Sequence, residues 1–254
     1  MAAVFHTPTE RWLPVLRRYE GILATSRFTA DALARANPRV AGRIQVIPYG
    51  IRLWPAEREA KLRKDRARRF FAGRGFPIIG MVGELWKNQE ELLEAARHIV
   101  RSFPAVTVAI VGGGYEERMS ALKRRARDLG LDGNVLFTGR VDRSRIPDIF
   151  FDFDLSVSTH RNEGFGIVHI ESLAGLTPVV AYNSGGYVEM LREGGGVLVE
   201  GGVESFADAV VSILRDDGYR MRLAEEGRRI VEDRYTVERM GADHREYYRR
   251  FVGA

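Results

Sequence analysis

Glu163 and Glu171 stand eight residues apart across a Gly164-Phe165-Gly166 turn, and Lys87 lies four residues beyond another glycine, Gly83. Carboxylates accept hydrogen bonds from a ligand's donors, glycines let backbone N–H groups approach a phosphate, and a lysine neutralises one. On a helix, the glutamate spacing separates the carboxylates by roughly 12 Å along the axis and about 80° around it. That suits two parts of one elongated ligand and exceeds the about 5 to 9.5 Å between paired glycosidase carboxylates, so a hydrolase is disfavoured. In isolation the two glutamates read as a helix cap and a solvated face; their neighbours argue otherwise. Asp152-Phe153-Asp154 has a metal-pair spacing, but it overlaps the start of a predicted strand, and Asp154 reads as structural. The chain has no cysteine, which excludes thiol nucleophiles, disulfides and thiolate metal sites.

Positioning these residues requires strands and helices in alternation. Short β-branched runs at 21–25, 43–48, 77–82, 106–111, 134–138, 154–159, 178–182 and 196–200 alternate with amphipathic stretches, the pattern of a parallel sheet covered by helices. Ligands of such a sheet bind beyond the carboxyl ends of its strands. Three loops follow such ends: Gly83 to Lys87, Gly139-Arg140-Val141, and His160 to Gly166. Asn88 is placed to cap a helix carrying Glu91, Leu92, Leu93, Ala96, Ile99 and Val100. Val237, Met240, His244, Tyr247, Tyr248 and Phe251 form an apolar stripe at helical spacing near the far end. Gly112-Gly113-Gly114 follows a strand, but Glu117 replaces the third glycine of a dinucleotide fingerprint, so an oxidoreductase is a weak match.

The formal charge of +5 suits phosphate-bearing ligands. The basic run Arg58 to Arg69 leaves peripheral contact with an anionic membrane open, although its apolar face is meagre. Interleaved aromatics and any recognisable nucleic-acid module are absent, so nucleic acid is not an expected partner. No apolar run approaches the roughly 20 residues of a membrane span, and cytoplasm is the expected location.

Together, Glu163-Gly164-Phe165-Gly166, Glu171, Pro178-Val179-Val180-Ala181 and Ser184-Gly185-Gly186 resemble glycosyltransferase family 4, retaining enzymes of the GT-B type. Ala24-Thr25-Ser26, Val46 to Gly50, Val111 to Gly114 and Asn134 to Gly139 extend the resemblance over most of the chain. The resemblance implies an α/β fold: a Rossmann-like parallel sheet with helices on both faces, corresponding to the C-terminal half of a GT-B glycosyltransferase. By it, Glu163 contacts the donor sugar or supports the charge developing at its anomeric carbon, Glu171 bonds the ribose hydroxyls and Lys87 holds the diphosphate. Gly83, Arg140, Val141, Gly164, Phe165, Gly166, Ile167 and Val168 complete the donor site, with Arg140 and Val141 near the base and the amides of Gly166 to Val168 on the distal phosphate. No cofactor and no metal are implied, a nucleotide-diphosphate sugar being the donor substrate.

Two departures stand out: Glu84 follows Gly83 where the family carries arginine, and Leu176 stands where it prefers glycine. Little sequence precedes Gly21, so most of the acceptor-binding half is expected to be missing. In that layout 1–17 is its remnant with His6 as a catalytic candidate, 18–235 the donor domain, and 236–254 an amphipathic helix. A separate chain, or a homodimer through that helix, is then expected to supply the missing half. The alternative is a non-catalytic module that binds nucleotide sugars.

Overall fold

A computed structural model of the chain describes residues 2–5, 16–55, 57–60 and 70–252. His6 and residues 61–69 of the basic run lie outside them. Arg58 is described, and its guanidinium pairs with Asp148 at 3.0 Å.

The strands form two parallel sheets, not one. The smaller holds β1 (Ala2–Phe5), β2 (Gly21–Ala24) and β3 (Ile44–Val46) in the order β1-β2-β3. The larger holds β4 (Ile78–Val82), β5 (Thr107–Val111), β6 (Val135–Gly139), β7 (Leu155–Ser158), β8 (Val179–Tyr182) and β9 (Gly196–Val199), ordered β6-β5-β4-β7-β8-β9. The strands around Gly21 and Arg43 therefore belong to a sheet of their own. This overturns the expectation that the fold corresponds only to one half of a GT-B enzyme. Hydrophobic alternation marks a strand and its faces, whereas sheet membership is decided by contacts distant in sequence.

Helices cover both faces of the larger sheet because alternate strand residues point opposite ways. Ile79, Met81, Val108, Ile110, Leu155 and Val157 share a core with α2 (Gln89–Ser102), α3 (Glu116–Asp128) and α7 (Val203–Arg215); α1 (Arg27–Ala36) packs on the smaller sheet. On the opposite face, Ile78, Ala109 and Val111 meet α4 (Ile146–Asp152), while Val179 and Ala181 meet α5 (Ile167–Ala174), the short α6 (Val188–Leu191) and α8 (Asp217–Arg234). Asp154 is engaged within the fold, accepting from Ile78 N at 2.8 Å and pairing with Arg220 at 3.0 Å.

In the smaller unit, Ile22 and Ala24 pack with Leu33 of α1 and Val40, whereas Leu23, on the opposite face, packs with Ile47, Tyr247 and Met240 of α9 (Val237–Val252). The C-terminal stripe thus covers the smaller sheet. The chain leaves that sheet near Ile51 and returns near Thr236, and the two crossings are bonded: Ile51 N donates to Tyr235 O at 2.8 Å, and Val237 N to Ile51 O at 3.0 Å.

Candidate functional site

The strand order of the larger sheet reverses direction at β4 and β7, and the crevice beyond their carboxyl ends is where an open α/β sheet presents a ligand site. Lys87, in the loop after β4, and Glu163, in the loop after β7, meet there: Nζ lies 2.5 Å from Oε2, with the side chains 17% and 20% exposed. Burial pushes the Glu163 carboxyl up, but the charge and hydrogen bond of Lys87, helped by His169 and His160, outweigh it and hold the carboxyl below its ordinary range. His169 is buried with its ring 4.7 Å from that of Tyr187, and burial drives its pKa down to about 4, so it is neutral at neutral pH. The glycines make the crevice narrow. Gly112 has φ +150°, and a Cβ there would stand 1.9 Å from the carbonyl oxygen of Gly83.

The loop bearing Glu163 is fastened from several directions. Gly186 N donates to the Glu163 carbonyl at 2.7 Å, and Tyr187 OH to the His160 carbonyl at 2.6 Å. Arg161 pairs with Glu91 at 2.5 Å and lies 3.5 Å over the Tyr182 ring. From the smaller unit, Ser26 Oγ and Thr29 Oγ1 donate to the Gly164 carbonyl at 2.5 and 3.2 Å. Ser26 also caps α1, accepting from Thr29 N at 3.0 Å, while Glu189 of the larger unit accepts from Arg27 N and Phe28 N at 2.5 and 3.2 Å. Asn88 does not cap α2: it takes a left-handed conformation, and its amide instead donates to Glu91 and to the Thr159 carbonyl. That side chain ties the β4 loop to the β7 loop.

A cleft of about 670 Å³ opens beside Lys87, lined by Gly83, Glu84, Arg140, Val141, Arg143, Val168 and Glu171, among others. Six residues expected from the sequence therefore share one cleft: Gly83, Lys87, Arg140, Val141, Val168 and Glu171. Phe165 is not on its wall. It is buried against Tyr49 and Tyr235, with ring centroids 5.4 and 6.1 Å away, and holds the turn in place. Gly164 is engaged through its carbonyl by the smaller unit, and Gly166, with φ +86°, starts α5, whose first turn contains Ile167 and Val168. Arg140 lies 3.7 Å from Glu84, and Arg143 2.7 Å from Glu171. Burial raises the Glu171 carboxyl above its ordinary range although Arg143 opposes the shift, and Oε2 of Glu171 is buried without a hydrogen-bond partner.

Sequence reading missed the contacts of Ser26, Thr29, Arg143 and Arg161. Ser26 carried a helix-cap signal, and Arg143 its place just beyond the carboxyl end of β6, but neither signal names a partner 138 or 28 residues away. Among the described residues no group of three or more His, Cys, Asp or Glu is placed to hold a metal ion, and no helix is long and apolar enough to cross a membrane.

The chain is 30% identical over 244 residues to the D-inositol 3-phosphate glycosyltransferase of Xylanimonas cellulosilytica, a match covering 92% of this chain and 58% of that one. It is 28% identical to the GDP-mannose-dependent alpha-(1-6)-phosphatidylinositol monomannoside mannosyltransferase of Mycobacterium tuberculosis, covering 92% and 64%. The chain thus spans roughly six-tenths of the length of these two curated relatives. Among solved structures, Anabaena Alr3699/HepE in complex with UDP superposes with a TM-score of 0.82 at 24% identity, over 98% of this chain and 72% of that one. That superposition runs through both sheets, so it establishes a two-sheet GT-B-like fold in place of the C-terminal half of the fold alone. Residues 64–230 match the family described as glycosyl transferases group 1, and that description replaces family 4 as the family supported. With the family match running from before β4 into α8, across every loop that builds the cleft, the chain belongs to the glycosyl transferases group 1 family.

Proposed function

We propose that this chain binds a UDP- or GDP-linked hexose and transfers the sugar to an acceptor with retention of anomeric configuration. The observation that carries this reading is the Lys87–Glu163 pair at the strand-order reversal, on the edge of a cleft whose wall holds Glu171. In this reading Lys87 and the first-turn amides of Ile167 and Val168 neutralise the diphosphate as it leaves. Glu163, kept ionised by Lys87, faces the sugar and stabilises positive charge developing at its anomeric carbon. Glu171 accepts from the ribose hydroxyls, and Arg140 and Val141 border the base. The relatives' names, one of them GDP-mannose-dependent, support a hexose linked to a nucleoside diphosphate.

Calorimetric titration with UDP, GDP, ADP and their sugar conjugates tests the binding step. One nucleotide is expected to bind with clear preference, and Glu171→Ala and Lys87→Ala each to weaken it by about tenfold or more. Absence of saturable binding to any of them removes this function. Retention is tested separately by following the anomeric proton of the first product by NMR, and an inverted product refutes that part.

A further inference from the structure

The wall of the cleft that holds Glu171 is covered by an ion pair. Arg143 Nη2 donates to Glu171 Oε1 at 2.7 Å, and both residues line the cleft. The arginine is 72% exposed and the glutamate 13%, so the guanidinium lies on the solvent side of the carboxylate. Oε2 of Glu171 is buried and makes no hydrogen bond, which leaves acceptor capacity of the kind a vicinal diol satisfies.

The base of Arg143 is fixed while its side chain reaches into solvent. Asp142 accepts from Ser144 N at 2.8 Å and from the Ser144 hydroxyl at 2.5 Å, which sets the turn beneath the arginine. The other two cations on the cleft wall also face carboxylates, Arg140 at 3.7 Å from Glu84 and Lys87 at 2.5 Å from Glu163. With Oε2 buried behind the pair, a neutral ligand can use both carboxylate oxygens only by displacing Arg143, which takes the guanidinium from its partner and gives it no replacement. A ligand that carries its own anion offers the guanidinium a replacement, and guanidinium binds phosphate oxygens in two-point geometry.

We propose that Arg143 is a specificity-determining latch on the cleft, releasing Glu171 to a nucleoside only when the same ligand brings a diphosphate for the guanidinium to engage. The proposal rests on the donor-site reading above and adds to it a reason for the site to reject nucleosides that lack phosphate.

Calorimetry of the wild type, Arg143→Gln and Arg143→Lys against uridine, UDP, guanosine and GDP, in one buffer at one salt concentration, tests it. Arg143→Gln is expected to bind the nucleoside about three- to tenfold more tightly and the diphosphate about three- to tenfold more weakly, shrinking the preference between them from both sides. Arg143→Lys is expected to keep the wild-type order. In a Glu171→Gln background the gain in nucleoside affinity is expected to vanish, because the latch then has nothing to cover. If Arg143→Gln weakens nucleoside and diphosphate in equal proportion, or alters neither, the latch is overturned while the donor site stands. If the wild type binds neither UDP nor GDP, both are overturned together.

Discussion

An ammonium seated against a mostly buried carboxylate cannot be deleted without stranding the carboxylate. Lys87→Ala is therefore expected to cost about 1–3 kcal/mol in urea unfolding at neutral pH, besides its effect on nucleotide affinity. Because the Glu163 carboxyl is held below its ordinary value of 4.5, its contribution to stability is present above that value and is lost as the pH falls through the lower value of the folded state. The difference between the wild type and Lys87→Ala is thus expected to shrink in acid. Glu171 behaves oppositely. Its carboxyl is raised above 4.5, so the folded state favours the protonated form and loses that advantage as the pH rises through the folded value. Glu171→Gln is expected to match the wild type in unfolding at pH 4 and to be the more stable of the two at pH 7. The three residues behind these predictions were singled out in the sequence by the family resemblance, since alone the glutamates read as a helix cap and a solvated face and the lysine as a surface residue. Arg143 was not. It looks like any surface arginine until the fold places Glu171 within reach of it.

At the scale of elements, strands were marked by their β-branched runs and helices by their apolar spacing, but two local details escaped. Asn88 looked like a helix cap and instead bridges two loops, because its left-handed backbone aims the side chain at Glu91 and Thr159. Leu176, noted as standing where glycine is preferred, has φ +57°, which explains that preference: a side chain at positive φ crowds its own backbone. Leu176→Gly, just beyond the end of α5, is expected to stabilise the protein by about 1 kcal/mol, measured as a shift in the urea midpoint. Ser26 serves α1 and the Glu163 loop together. Ser26→Ala is expected to cost about 1 kcal/mol for the lost cap and, under the proposed function, to lower the turnover of sugar transfer more than it raises the KM for donor, since Gly164 then loses its shortest tether.

At the scale of the molecule, the sequence contained both sheets but did not separate them, since β2 and β3 have the same alternation whichever neighbour they pair with. Closure of the smaller unit depends on the last helix: Tyr247 of α9 is buried against Leu23 and Ile47. Tyr247→Ala is expected to speed hydrogen exchange at β2 and β3 while the amides of β4, β5 and β7 keep their protection. Equal acceleration in both sheets would show that the two units unfold as one. The sheets meet at two adjacent chain crossings, at Ile51 and Thr236, and through side-chain ties at the Gly164 carbonyl and at Glu189. A pair of neighbouring crossings alone is a pin about which one sheet can turn. These side-chain ties together are the third foot of a tripod, and any tilt of one sheet against the other must either shift the loop that carries Glu163 or lift that foot.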